Sequence, residues 1–157
     1  MISLLIRNLI FTILQPGVTA VLLPYLILRN AGQPIFPEVW TIWRYIGAVL
    51  IVTGASVVFI CILRLATEGR GTLSPLDPTK KLVIHGLYRY SRNPMYVGAI
   101  VLLIGEALFF MSWLLAAYTA LLFAGFNAFI LFHEEPRLRR DFPAEYEPYC
   151  ARVRRWI

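Results

Sequence analysis

With 157 residues the chain has room for a single domain, residues 1–157, and little more. Its residues are 59% hydrophobic and only 15% charged, far from the quarter or so of charged residues that soluble domains carry. The net charge of +6 lies in segments flanking apolar runs, so anionic lipid headgroups are the expected partner and nucleic acid is not.

Four apolar spans follow one another, and the composition reads as an all-α integral membrane protein. The first, about residues 2–28, is interrupted by Pro16, Gly17 and Pro24. At about 1.5 Å per residue it exceeds a bilayer core of about 30 Å, so it should tilt, kink or begin in the interface. No small-residue cleavage site follows it, and it reads as a retained anchor. The second span covers about 45–63. The third starts at Pro94 and runs to about 110; the fourth covers 113–132. Only Met111 and Ser112 separate these two, which predicts a tight helical hairpin. Cys61, in an apolar run, and Cys150, in the polar tail, make neither a disulfide framework nor a metal site. No obligate protein partner is evident.

Charge orients the arrangement. Arg64, Arg70, Lys80, Lys81, Arg89 and Arg92 lie between spans two and three, and six more arginines lie in the tail, residues 133–157. The first outer loop has only Arg29 and Arg44. Both termini are therefore expected in the cytoplasm. In the tail, Phe142, Tyr146, Tyr149, Val153 and Trp156 recur at helical spacing, which predicts an amphipathic cytoplasmic helix that lies on the membrane or caps the bundle. Asp141 and Pro143 suit its start, and Pro148 should kink or interrupt it.

Chemistry concentrates in two places. The stretch GLYRYSRNPMYVG, residues 86–98, opens span three; Asn93 and Pro94 suit an N-cap and first helical turn. They do not explain Arg89, Arg92, Tyr88, Tyr90 and Tyr96 around them, beyond anchoring at headgroups. Span four ends in His133, Glu134, Glu135 and Pro136, and the chain is expected to restart at Pro136 with the acids at a helix start. Asn127 lies on nearly the same face as Glu134. The hairpin should bring Arg89, Arg92 and Asn93 within reach of His133, Glu134 and Glu135. The result is either a structural salt bridge or a site for a zwitterion, with aromatics nearby for a flat ring or a cation.

The pattern Gly-x-Tyr-x-x-x-Arg-Asn-Pro-x-Tyr, followed by Glu-Glu-x-x-Leu-x-x-x-Phe-x-x-x-Tyr-x-x-Tyr, resembles the isoprenylcysteine carboxyl methyltransferase family. Its wider relatives include phospholipid N-methyltransferases and small bacterial membrane proteins, and the resemblance covers about residues 80–157. It implies a membrane methyltransferase, in a bacterium an inner-membrane one. The cofactor would be S-adenosylmethionine, leaving S-adenosylhomocysteine, and a lipophilic acceptor would approach from the bilayer. By that resemblance Leu82 and Val83 would line the cofactor, Tyr88, Asn93, Pro94, Met95 and Tyr96 would surround it, and Glu134 would hold it by a polar contact. Lys80, Arg89, Arg92, Asn127, His133, Glu135, Tyr146 and Tyr149 would support the pocket. The chain departs from the family at three points. Asn93 and Lys80 stand where the eukaryotic carboxyl methyltransferases place histidines, and Ile130 stands where they carry an arginine four residues before the glutamate pair. The last weighs against an anionic prenylcysteine acceptor.

No side chain is assigned as a base, since a carboxylate acceptor needs none and His85 and His133 read as structural. Glu106, an acid near the outer end of span three, is left outside the site as a hydrated group. Two other readings stay open: methylation of a phospholipid amine, and a non-catalytic membrane protein whose clusters anchor headgroups.

Overall fold

The computed structural model describes residues 16–34, 39–67 and 82–157, and every regular element among them is helical. A π-helical turn, Val18–Leu22, leads into α1 (Leu23–Asn30). Then come α2 (Ile42–Thr67), a 3-10 turn at Gly86–Arg89, α3 (Pro94–Phe109) and α4 (Trp113–Phe129). A second π turn, Ile130–Glu134, carries α4 into α5 (Glu135–Asp141), and α6 (Pro143–Arg152) follows. Most of the expected first span, with Arg70, Lys80 and Lys81 of the second connection, falls outside the described residues.

Both π turns have the same cause. Each ends two residues before a proline, Pro24 or Pro136, whose ring would collide with the carbonyl four residues back in a regular α-helix. That carbonyl, of Ala20 or Phe132, belongs to the widened turn, closed by Leu23 N–H to Val18 O and Glu135 N–H to Ile130 O. The helix therefore does not break and restart at Pro136, as the sequence suggests; it widens and continues. Pro148 likewise lies inside α6 without ending it. Burial of Tyr146 and Tyr149 on either side, at about 1.5–3 kcal/mol for a large side chain, offsets the roughly 3 kcal/mol that an interior proline costs.

The tightest packing joins α2 and α3, which run antiparallel. A Cβ added at Gly54 would lie 2.5 Å from the backbone N of Leu102 and 2.6 Å from the carbonyl of Gly98; one at Gly47 would lie 2.6 Å from the N of Phe109 and 2.7 Å from the carbonyl of Gly105. Gly98 and Gly105 meet α2 as closely from the other side. Glycine every seven residues on both helices thus lets the backbones touch, the packing that membrane helices favour. α3 turns into α4 through Phe110, Met111 and Ser112, with Met111 at φ 52° and the Ser112 N–H bonded to the Ala107 carbonyl at 3.0 Å.

Among the described residues two helices are long and apolar enough to cross a membrane: Ile42–Leu65 and the continuous Trp113–Asp141. α3, at 16 residues or roughly 24 Å, is shorter than a bilayer core. Large apolar side chains face outward along α2 and α4, among them Val52, Phe59 and Leu121. On α2 the hydroxyls of Thr53 and Ser56 fold back onto their own helix, to Val49 O and Val52 O, both at 2.8 Å, so neither of these donors is left facing lipid.

Candidate active site

The hairpin sets the start of α3 beside the end of α4, and the two adjacent glutamates then diverge. Successive helical residues point about 100° apart, at 3.6 residues per turn. Glu134 faces α3 and accepts a hydrogen bond from the Tyr96 hydroxyl at 3.0 Å. Glu135, only 7% exposed, faces the tail. Arg155 grips it with Nε at 2.7 Å and Nη2 at 3.0 Å, and Arg92 Nη1 lies 3.2 Å from the same carboxylate. The bidentate fork fixes geometry as well as charge.

That clamp is one stitch in a seam between the tail and the 86–98 stretch. The Arg92 N–H donates to the Arg154 carbonyl at 2.9 Å, and the Arg155 carbonyl accepts from Asn93 Nδ2 at 3.0 Å and Ser91 Oγ at 3.3 Å. Arg92 Nη1 also donates to Cys150 Sγ at 2.9 Å. Trp156 Nε1 donates to Asn127 Oδ1 at 3.1 Å, while its ring stacks on Phe123. Asn93 thus occupies the N-cap position of α3, but its side chain caps nothing; it holds the tail.

The aromatic face of the tail turns inward. Tyr146, Tyr149 and Val153 form a buried cluster with Leu82, Leu138, Phe142 and Cys150, so α6 caps the bundle. The Tyr149 hydroxyl donates to the Tyr88 carbonyl at 2.7 Å, and burial pushes its phenol up to about 12, which keeps that donor protonated. Burial and the neighbouring Cys61 and Glu134 raise the Tyr88 phenol as well. Tyr88 packs with Val83 and Cys61, flanked by Leu87 and Met95. The turn that delivers it starts at Gly86, φ +62°, where a Cβ would also strike the Arg64 guanidinium at 2.5 Å.

Two spaces adjoin these groups. An apolar cavity of about 400 Å³ lies between the turn before α1 and helices α2, α3 and α4; Met95, Tyr96 and Phe126 line one part of it, and Thr19, Ile51 and Glu106 also contribute. A cleft of about 540 Å³ is lined by Ile84, His85, Arg89, Glu145, Tyr149, Arg152 and Val153. Arg89 thus belongs to this cleft and not to the glutamates, while exposed His133 stacks its ring on Phe129. Two guanidiniums, that of Arg92 beside Glu135 and that of Arg137 beside Glu134, each hold a buried Nε with no hydrogen-bond partner. Arg137 lies close enough to bias both Tyr96 and Glu134 electrostatically, yet forms no ion pair among the described residues. Among those residues no group of three His, Cys, Asp or Glu side chains could hold a metal.

A sequence profile described as phospholipid methyltransferase matches residues 42–145, from the start of α2 into α6. The chain belongs to the phospholipid methyltransferase family. Two rice proteins, from Oryza sativa subsp. indica and subsp. japonica, are each 32% identical to it over 76% of this chain and 64% of their own length. Both carry the name probable protein-S-isoprenylcysteine O-methyltransferase. The chain thus aligns with somewhat under two thirds of these curated relatives. No solved structure matches it.

Of the residues singled out in the sequence, the family's stretch at 86–98 and the glutamate pair do meet; Lys80 lies outside the described residues. Sequence reading passed over Arg137 and Arg155. Arg137 stands three residues after Glu134 and so on nearly its face, a signal that was there to be read. Arg155 carried none, because its partner is twenty residues away, beyond the whole of α6.

Proposed function

We propose that the chain is an S-adenosylmethionine-dependent membrane methyltransferase that transfers a methyl group to a lipophilic acceptor. Four spans, with both termini, the α6 cap and the site on the cytoplasmic side, form the matching topology. The observation that carries this reading is the Tyr96–Glu134 pair: Tyr96 lines the apolar cavity, and its partner Glu134 lies near the Arg137 guanidinium.

The residues fit the cofactor. Its methionyl end is a zwitterion, and Glu134 would take the ammonium while the unsatisfied donor of Arg137 would take the carboxylate. Tyr88, Tyr96 and Met95 would surround the remainder, with Leu82 and Val83 at its edge; Asn93 and Pro94 set the position of α3 beneath it. When bound, S-adenosylmethionine supplies an electrophilic methyl group. The chain's part is then to hold the acceptor in line and to exclude water, which α6 and the tail do by closing the cytoplasmic side. The acceptor's apolar tail would lie in the cavity between the helices, with its reactive head at Tyr96.

Calorimetry on the purified chain tests the reading: S-adenosylmethionine binds the wild type, and Glu134→Gln weakens binding at least tenfold without lowering thermal stability. Absence of binding to the wild type would remove the proposal. A second reading, a phospholipid amine as acceptor, is favoured by one observation: Ile130, where the carboxyl methyltransferases place arginine, is wholly buried and apolar. Offering methyl-labelled cofactor with a farnesylcysteine analogue, phosphatidylethanolamine and a lipid extract decides between them by which product carries label.

A further inference from the structure

Glu106 takes no part in the site described above. It is 9% exposed, and its Oε2 is buried with no hydrogen-bond partner. Its side chain nevertheless lines the apolar cavity. It stands eleven residues after Met95 on the same helix, which is about 16 Å along the axis. Between those two levels the wall contributed by α2, α3 and α4 is apolar: Ile51, Ala55, Ala99, Leu102, Leu103 and Phe126. The cavity therefore has a polar mouth at Tyr96, an apolar bore and a single carboxyl at its far level.

We propose that Glu106 sets a length limit on the apolar chain that the cavity accepts. The inference rests on the reading that the cavity receives the acceptor's tail. A carboxyl in either protonation state needs hydrogen-bonding partners; Oε2 is sealed from solvent without one among the described residues, so water reaches the group only through the part of the side chain that lines the cavity. An apolar chain that stops short leaves that hydration alone. One that reaches Glu106 strips it and gives back no hydrogen bond, a loss of about tenfold or more in affinity. The twelve-carbon backbone of a farnesyl chain, with carbon–carbon bonds of about 1.5 Å in a zigzag, spans roughly 14 Å. A geranylgeranyl chain, four backbone carbons longer, spans roughly 19 Å and overruns the limit.

The experiment uses the full chain in nanodiscs with N-acetyl-S-geranyl-, farnesyl- and geranylgeranylcysteine. Two readouts are taken: methyl label transferred from S-adenosylmethionine, and the analogue concentration that half-saturates thermal stabilisation, which needs no turnover. For wild type and Glu106→Gln, which keeps a polar end, the response falls about tenfold from farnesyl to geranylgeranyl. In Glu106→Leu, and in Glu106→Met as a second apolar variant, it falls less than about twofold. A wild type indifferent to length, a Leu or Met variant that keeps the wild-type drop, or no stabilisation by any chain overturns the length limit. Stabilisation with the expected length pattern but no label in any product leaves the limit standing and removes prenylcysteine methylation.

Discussion

Replacing Glu135 by glutamine should loosen the tail and the site together. The carboxylate is almost fully buried and meets two guanidiniums, at 2.7 and 3.0 Å from Arg155 and 3.2 Å from Arg92. Glutamine keeps one acceptor but removes the charge, and two arginines then face each other uncompensated. Breaking a buried pair from one side costs about 3–5 kcal/mol, and the retained acceptor argues for the lower end, about 3 kcal/mol. For a chain of this size, each kcal/mol moves the melting temperature by roughly 2–4 °C, so a fall of about 6–12 °C is expected. The seam should open with it, because the bonds from Arg92, Asn93 and Ser91 end on the carbonyls of Arg154 and Arg155. Thermal unfolding in detergent measures the first effect, and the rate of tryptic cleavage after Arg154 and Arg155 measures the second. Adding Arg155→Met to Glu135→Gln should recover part of the loss, since one stranded cation is removed. A melting temperature within 2 °C of wild type with an equally protected tail would refute the clamp.

Gly54→Ala puts a methyl group 2.5 Å from the backbone of α3 and should destabilise by about 1–3 kcal/mol; Gly125→Ala, with nothing within 4 Å, should be neutral or stabilise by about 0.5–1 kcal/mol in the same melting assay. The Tyr149 phenol rises from 10.0 to about 12 on folding, so the folded state favours its protonated form; that stability is complete below pH 10 and is lost as pH climbs to about 12. Tyr149→Phe should therefore melt lower than wild type at neutral pH, by about 1 kcal/mol for the lost bond to Tyr88, and show a shallower decline across that alkaline range. Arg137→Gln removes the unsatisfied donor beside Glu134 and should shrink the melting shift that S-adenosylmethionine produces, while the unliganded melting temperature stays within about 0.5 kcal/mol of wild type or rises.

Long apolar runs made the span helices legible, and the two-residue gap at Met111 and Ser112 made the hairpin so. The meeting of the 86–98 stretch with the glutamates followed from that geometry. What local reading could not supply was the response to proline. A proline rule predicts a break at Pro136, whereas a helix with an apolar face to bury absorbs the clash in one widened turn and keeps the face. Pro148 shows the same override by packing. The α2–α3 contact was written in the chain as Gly47, Gly54, Gly98 and Gly105, seven apart on each helix, a signal that hydropathy averages away. The seam was not legible, because backbone carbonyls at 154 and 155 carry no residue-specific mark, and Asn93 looks like a helix cap in any sequence.

The position of Ile130 also bears on how an acceptor would be held. It opens the π turn and is 0% exposed, so an arginine there would have to be desolvated inside the bundle. Isoleucine puts no charge there, one turn beyond Phe126, and the cavity wall from α2, α3 and α4 is apolar from Met95 to the level of Glu106. The nearest guanidinium along the helix is Arg137, seven residues and therefore about 10 Å further along its axis. Apart from the Glu106 carboxyl at the far level, charge thus stays at the Tyr96–Glu134 level and beyond it along α4 and α5, and apolar surface lies between. A ligand matched to that gradient is an amphiphile whose polar head stays at the Tyr96–Glu134 level while its tail enters the bundle; on the proposed reading, that orientation would present the head to the methyl donor whether it is a carboxylate or an amine.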